Sequence, residues 1–246
     1  MNGPYIREIF LRNPLPRDSY LNDLPVVRWL AGGNRLDLSA NVTFLVGENG
    51  TGKSTLMEAV AVACGFNAEG GSRNFAFSTN ETHSELGNLL TVSRNAYPKD
   101  GFFLRAESFY NVATYVDQLD PTLVDSYGGV SLHQQSHGES FLALVQNRFG
   151  GHGLYLLDEP EAALSPTRLL TLMGQIDLLE KDDSQFIIAT HSPILLAYPG
   201  ARLYELSDAG IAPVNYRETE HYCLTKRFLN DPDRMLRALF ADEEDT

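Results

Sequence analysis

Cysteine, tryptophan and long apolar runs are scarce in this sequence. Cys64 and Cys223 are the only cysteines among 246 residues, too few for a disulfide framework and typical of a reducing compartment. No segment has the ~20 consecutive apolar residues of a membrane span, and residues 1–10 lack the basic start and apolar stretch of a signal peptide. We therefore expect a soluble, cytoplasmic protein without a transmembrane segment.

Basic residues are also few, since 19 lysines and arginines face 32 acidic residues and the formal net charge is -13. Such a surface is not expected to coat nucleic acid or anionic lipid, because both are polyanions, although a local basic groove remains compatible with it. Apolar types make up 43% and charged types 21%, which is ordinary globular usage. The length favours one domain over residues 1–246.

Apolar runs alternate with segments of helical periodicity along most of the chain. We predict strands at 5–11, 35–46, 101–107, 154–158, 185–190 and 202–206. We predict helices at 53–66, 109–119, 139–149 and 166–180, and two short helices within 218–240. Residues 67–100 are polar and predict a loop-rich surface insertion. The alternation indicates an α/β fold with a mostly parallel sheet flanked by helices.

A phosphate-binding loop is the most specific motif. Residues 47–54 match the pattern G-x-x-x-x-G-K-[ST] between a predicted strand and a predicted helix. The backbone N–H groups of such a loop and the positive end of the following helix bind phosphate. Lys53 is expected at the β- and γ-phosphates and the Ser54 hydroxyl at Mg²⁺. The nucleotide-binding candidates are Gly47, Glu48, Asn49, Gly50, Thr51, Gly52, Lys53, Ser54 and Thr55.

Two adjacent carboxylates end the apolar run Leu154–Leu157. A buried strand delivers Asp158 to the carboxyl edge of the sheet, where ligands bind in open α/β folds. Asp158 is expected to hold Mg²⁺, and Glu159 to face the terminal phosphate and polarise the attacking water. The alternative is an ordinary polar strand end followed by a turn at Pro160.

Two further polar positions accompany these carboxylates. The apolar run Phe186–Ala189 sends His191 to the same predicted sheet edge, where it is either a functional group or an ordinary strand-end histidine. Ser136 opens a predicted helix and is expected to cap it.

Taken in order, these motifs resemble those of the ABC-type ATPases. Ser136–Ser140 is similar to the signature sequence, commonly LSGGQ, and departs from it at the last two positions. Residues 163–166 resemble the D-loop, with Ser165 where the family usually has Asp, and Thr190-His191-Ser192 resembles the switch-histidine segment. Glu107 is the nearest match to the Q-loop glutamine, a metal ligand in the family.

The compact layout, with about 80 residues between Ser54 and Ser136, resembles the soluble RecF-like and AAA-family ATPases. The resemblance implies a P-loop fold with an N-terminal antiparallel β portion. It also implies ATP and Mg²⁺ as ligands, with Glu159 and His191 as catalytic residues. In a head-to-tail homodimer, Ser136 and Gly138 would contact the γ-phosphate held by the other subunit's Lys53. ATP-driven dimerisation would then switch a protein or nucleic-acid partner, in DNA maintenance or defence.

Two other functions fit part of the sequence. An energy-coupling subunit of a membrane transporter would share the motifs, but it needs a Q-loop that docks a permease, and the match at Glu107 is weak. A P-loop kinase would explain the phosphate loop and the two carboxylates, but leaves Ser136–Ser140 and His191 without a role.

Overall fold

Two β-sheets and the helices packed on them form the fold in the computed structural model, which describes residues 4–13, 15–16, 18–72, 85–107 and 136–240. The strands are β1 (Ile6–Leu11), β2 (Leu36–Asp37), β3 (Val42–Gly47), β4 (Leu90–Arg94), β5 (Asp100–Arg105), β6 (Gly153–Asp158), β7 (Gln185–Ala189), β8 (Arg202–Ser207) and β9 (Gly210–Pro213). The helices are α1 (Pro25–Ala31), α2 (Lys53–Ala63), α3 (Leu86–Leu89), α4 (His137–Arg148), α5 (Pro166–Lys181), α6 (Glu220–Asn230) and α7 (Pro232–Phe240).

The larger sheet has six strands in the order β5-β6-β7-β3-β8-β9. All neighbours are parallel except β8 and β9, which form an antiparallel pair. Leu45 on β3 pairs with Ala189 on β7, and Ala189 pairs with Asp158 on β6. The last residues of these three strands therefore meet at one edge of the sheet, and the loops that follow them form a single surface.

Both faces of this sheet are buried, as the continuous apolar strands predict. Successive side chains point to opposite faces, so Phe44 and Phe186 pack with Phe141 of α4 in one core. Leu45 and Ile187 pack on the other face, in a second core that includes residues of α1, α2 and β1. Helix α2, which carries the phosphate loop at its start, is thereby fixed against the sheet.

The smaller sheet is antiparallel, with the order β2-β1-β4. Gln185, which is 1% exposed at the start of β7, joins it to the larger sheet. Its side-chain oxygen accepts a hydrogen bond from Ile6 N–H at 2.8 Å, and its amide nitrogen donates to the carbonyls of Ile6 at 3.0 Å and Leu38 at 2.7 Å. One buried amide therefore satisfies backbone groups of both β1 and the chain after β2.

The mostly parallel sheet flanked by helices and the N-terminal antiparallel portion are confirmed. The loop-rich prediction for 67–100 is wrong over 86–94, because α3 and β4 lie there and β4 pairs with β1. Sequence reasoning also missed α1 and β9, and the helix predicted at 109–119 lies outside the described residues. No helix in the described part of the chain is long and apolar enough to cross a bilayer.

Gln185→Leu is expected to lower the free energy of unfolding by about 2 to 4 kcal/mol, because it leaves buried backbone groups of Ile6 and Leu38 without partners. Urea denaturation measures the change, with Gln146→Leu on an exposed position of α4 as the matched control. A loss below about 1 kcal/mol would show that the two sheets do not depend on this amide.

Candidate functional site

The phosphate loop joins β3 to α2 through glycines in the left-handed region of backbone space. Gly50 and Gly52 have φ of 85° and 94°, a conformation that costs other residues free energy. A Cβ atom at Gly52 would lie 2.5 Å from Cγ1 of Val26, so α1 also requires glycine at this position. The Thr51 hydroxyl donates to the Glu48 carbonyl at 2.9 Å and tightens the turn. The loop that the sequence predicts is therefore present, directly before the N-terminus of α2.

Lys53, the first residue of α2, is only 4% exposed. Its Nζ donates to the carbonyl oxygens of Gly47 at 2.7 Å and Glu48 at 2.9 Å, so the ammonium group lies within the loop. Burial lowers the pKa of Lys53, and the nearby carboxylates of Glu159 and Asp158 oppose this effect. The side chain is thus a desolvated cation held beside the strand-end carboxylates.

Asp158 ends β6 and is 5% exposed. Ser54 Oγ lies 3.4 Å from its Oδ1, and Arg105 Nε lies 3.6 Å from its Oδ2. Burial raises the pKa of Asp158 to about 6, with Arg105 lowering it and Glu159 raising it further. Carboxylate and hydroxyl oxygens are the hard donors that Mg²⁺ prefers, and here a buried carboxylate and a hydroxyl lie 3.4 Å apart. Ser54 and Asp158 therefore fit a magnesium site.

A cavity of about 260 Å³ opens beside this pair. Its lining includes Ser54, Asp158 and Glu159, together with Glu107 and His137. The Glu107 side chain is 87% exposed and lies 3.5 Å from Arg105, so it borders the cavity without being fixed at the carboxylates. The first residue of α4, His137, also borders this cavity.

Glu159 follows β6 in the left-handed conformation, with φ 51° and ψ 52°. Such a conformation costs a residue other than glycine on the order of 1 kcal/mol or more, and it persists only where neighbours enforce it. The Glu159 N–H donates to the Ala189 carbonyl at 2.9 Å, which ties the ends of β6 and β7 together. The turn directs the carboxylate toward His191, where Oε1 lies 3.4 Å from the ring Nε2.

His191 is held from two sides. Its N–H donates to the Glu161 carboxylate, and its ring Nδ1 lies 2.8 Å from Nε2 of His221 in α6. Burial lowers the pKa of His191, and the positive charge of Lys53 lowers it further, while Glu159 acts in the opposite direction. A histidine of this kind is neutral at pH 7 and presents Nε2 to the carboxylate of Glu159.

The segment that resembles the ABC signature begins α4. Ser136 caps the helix, and its N–H and hydroxyl both donate to Glu139 Oε2, at 3.0 and 2.6 Å. Arg168 of α5 donates to Glu139 Oε1 at 2.9 Å and to Ser136 Oγ at 3.3 Å. Gly138 is required here, because a Cβ atom would lie 2.9 Å from the Ala163 carbonyl. Ser136 itself is exposed.

The structure brings Lys53, Ser54, Asp158, Glu159 and His191 to one edge of the sheet, as predicted. Sequence reasoning missed four residues that contact this set or the signature segment, namely Arg105, Glu161, Arg168 and His221. Arg105 and Glu161 lie within motifs that the sequence shows, so their position near Asp158 and His191 could have been predicted from the sequence. Arg168 and His221 belong to other helices, and only the fold brings them to their partners.

Two family profiles match the chain. The first, described as an AAA domain, covers residues 27–109 and includes the phosphate loop. The second covers residues 122–197, with Asp158, Glu159 and His191. It is described as an AAA domain of a proposed AbiEii toxin from a type IV toxin–antitoxin system.

Among curated relatives, the ribose import ATP-binding protein RbsA of Yersinia pestis is 28% identical over an alignment of 202 residues, and the match covers 73% of this chain. The chain spans only 37% of that relative's length. Among solved structures, cbiO1 from Clostridium perfringens, part of the ABC transporter complex cbiONQ, has a TM-score of 0.50 and 15% identity, over 93% of this chain and 96% of that one.

The SMC head domain from Thermotoga maritima has a TM-score of 0.44 and 16% identity, over 86% of this chain and 98% of the other.

At 15% identity, the likeness to cbiO1 is one of fold alone. The ordered motifs, the two AAA-domain profiles and the fold support the resemblance of this chain to P-loop ATPases of the ABC type, in the RecF-like, AAA-type group.

Proposed function

We propose that this chain binds ATP with Mg²⁺ and hydrolyses it to ADP and phosphate, as a single ATPase domain over residues 1–246. One observation carries the proposal. Lys53, the Ser54–Asp158 pair and the Glu159–His191 pair converge where β3, β6 and β7 end. A phosphate-binding loop, a site for a hard cation and a candidate base with a neighbouring imidazole are the parts that phosphoryl transfer to water requires.

The phosphate loop supplies the binding energy for the nucleotide. Its backbone N–H groups and the N-terminus of α2 attract the phosphates, and Lys53 adds a compact positive charge at the β- and γ-phosphates. In the structure this ammonium donates to the carbonyls of Gly47 and Glu48. We expect phosphate oxygens to replace these carbonyls as its partners.

Ser54 and Asp158 would hold Mg²⁺, with Glu107 as a further candidate at the rim of the same cavity. When bound there, Mg²⁺ neutralises charge on the β- and γ-phosphate oxygens. Arg105 lies on the other oxygen of Asp158 and keeps that carboxylate in place.

Glu159 and His191 would carry out the chemical step. The Glu159 carboxylate is partly exposed, so water has access to it. It accepts a proton from the attacking water while the water oxygen bonds to the γ-phosphorus. The bond between the γ-phosphorus and the bridging oxygen breaks, and ADP and phosphate leave. His191 Nε2–H would hold a γ-phosphate oxygen and the water beside Glu159.

We propose that the working form is a head-to-tail homodimer. Ser136 and the D-loop residue Ser165 are both exposed, at the starts of α4 and α5, and Arg168 ties Ser136 to α5. In a dimer, Ser136 and Gly138 would contact the γ-phosphate held by the other subunit's Lys53, with the helix N-terminus adding a favourable field. ATP would then control assembly, and assembly would switch a protein or nucleic-acid partner, in DNA maintenance or defence.

The named relatives favour a second candidate, an ATP-binding subunit of a membrane importer. The ribose import protein RbsA is similar in sequence, and cbiO1 of the cbiONQ transporter is similar in fold. Under that function the chain is recovered with membrane proteins after mild detergent extraction. Under the first function, the chain is recovered without them and turns over ATP alone.

Glu159→Gln is expected to lower kcat for ATP hydrolysis by about 10²- to 10⁴-fold, because it removes the proton acceptor while keeping the shape of the side chain. ATP affinity measured by calorimetry stays at the wild-type value, and an ATP-bound dimer accumulates in light scattering. Glu218→Gln, at an exposed carboxylate in the turn before α6, is the control. Phosphate release at the wild-type rate from Glu159→Gln would remove Glu159 from the catalytic step.

Asp158→Asn is expected to stabilise the protein in metal-free buffer at pH 8, by about 1 to 3 kcal/mol. The folded-state pKa of about 6 lies above the ordinary value of 3.8, so the contribution of Asp158 to wild-type stability falls as the pH rises from about 4 to about 6, whereas asparagine does not titrate. The advantage therefore shrinks between pH 8 and pH 5. Urea denaturation in EDTA measures it, with Asp208→Asn in the exposed β8–β9 turn as the one-charge control. A variant less stable than wild type at pH 8 would contradict this.

A further inference from the structure

His221 contacts the switch histidine from outside the family's motifs. It lies in the first turn of α6, thirty positions after His191, and its Nε2 is 2.8 Å from His191 Nδ1. The two rings also pack together, with centroids 4.9 Å apart at an angle of 43°. His221 borders a second cavity of about 440 Å³, which residues 47–51 of the phosphate loop also line. The contact therefore connects a C-terminal helix to the site proposed for hydrolysis.

The partners of His191 determine which of its nitrogens carries the proton. Nε2 is buried, lies 3.4 Å from the Glu159 carboxylate and has no hydrogen-bond partner among the described residues. An ionised carboxylate and the oxygens of a γ-phosphate only accept hydrogen bonds. A proton on Nε2 would suit both acceptors, and it leaves a lone pair on Nδ1. That lone pair needs a donor, and Nε2–H of His221 is the group placed to supply it.

Both imidazoles are neutral in this arrangement. Burial lowers the pKa of His221, and the neighbouring His191 lowers it further, against the carboxylates of Glu220 and Glu161. Burial and Lys53 lower the pKa of His191. A neutral pair forms one N–H···N hydrogen bond, whereas two imidazolium ions would repel each other.

Hydrogen bonds of Thr219 and a pair of packed tyrosine rings hold the first turn of α6, which contains His221, in place. Thr219 caps the helix and is fully buried, accepting from Tyr222 N–H at 3.4 Å and donating to the Tyr216 carbonyl at 2.8 Å. The rings of Tyr216 and Tyr222 pack 4.6 Å apart. By contrast, Glu161 contacts only the backbone N–H of His191, so this contact does not orient the ring.

We propose that His221 is a positioning residue that holds the His191 ring in its Nε2–H tautomer, with Nε2 directed at the reacting γ-phosphate and Glu159. This proposal rests on the proposed ATPase function. It makes turnover depend on the first turn of α6, because movement of that turn removes the donor from His191 Nδ1.

Three substitutions separate the hydrogen bond from packing. His221→Ala removes ring and donor, His221→Phe keeps a ring without a donor, and His221→Gln keeps an N–H group near the position of Nε2. We expect the first two to lower kcat by about 10- to 100-fold, the range for losing the outer partner of a functional histidine. We expect the KM for ATP to stay within about twofold. His221→Gln restores most of kcat. Leu224→Ala, at an exposed position on α6, is the control.

A double-mutant cycle tests whether His221 acts through His191. If it does, His191→Ala/His221→Ala is no slower than His191→Ala alone, while all variants keep the wild-type melting temperature. Wild-type kcat in His221→Phe, or a further loss on adding His221→Ala to His191→Ala, would overturn the proposal. A wild-type protein that releases no phosphate from ATP would instead overturn the ATPase function.

A measurement that does not require ATP hydrolysis tests the proposal even if the protein releases no phosphate. Two-dimensional ¹H–¹⁵N spectra of the imidazole rings distinguish the two tautomers in the nucleotide-free protein, and the His191 and His221 variants assign the signals. At pH 7.5 we expect the His191 proton on Nε2 and a bare Nδ1. A proton on Nδ1 of His191 would overturn the proposal whether or not the protein hydrolyses ATP.

Discussion

The parallel register of β3, β6 and β7 is the constraint on which the site depends. Ala189 pairs with both Leu45 and Asp158, so β6 and β7 end level with each other and β3 runs two residues further, to Gly47. The phosphate loop follows β3, the carboxylates of Asp158 and Glu159 lie at the end of β6, and His191 follows β7. Two buried cores fix the sheet from its two faces, and the strained turn at Glu159 is hydrogen-bonded to the end of β7. A slip of β6 by one residue would turn Asp158 to the opposite face of the sheet, away from its partners.

Buried charged groups explain how a chain with a net negative charge could bind a polyanionic ligand. The net charge of -13 describes the surface as a whole, whereas the site brings together buried Lys53, the loop N–H groups and the N-terminus of α2. Asp158 is costly to keep ionised there, and Lys53 is costly to keep charged. In the proposed complex, a bound cation and phosphate oxygens would lower both costs, so the unfavourable burial of these charges in the free protein would favour ligand binding.

The contiguous parts of the site were readable from the sequence, because the phosphate loop and the strand-end carboxylates each combine a local motif with its required secondary structure. The pairs formed across the fold were not: His221 meets His191 only because α6 starts beside β7, and nothing local marks it. Strand β4 was missed for a related reason. Its five residues stand among polar ones, and their partner β1 lies at the other end of the N-terminal half. The 7-residue helix α1 is too short for a clear helical period.

In the proposed dimer, the phosphate loop of one chain works with the start of α4 from a second copy. A mixing experiment tests this directly, using Lys53→Ala, which lacks the lysine, and Ser136→Arg, which blocks the signature face. Each variant alone should release almost no phosphate from ATP. Mixed in equal amounts, they form heterodimers that keep one intact composite site, and activity should return to about a quarter of the wild-type value. A mixture no more active than its separate components, beside an active wild-type protein, would contradict the claim.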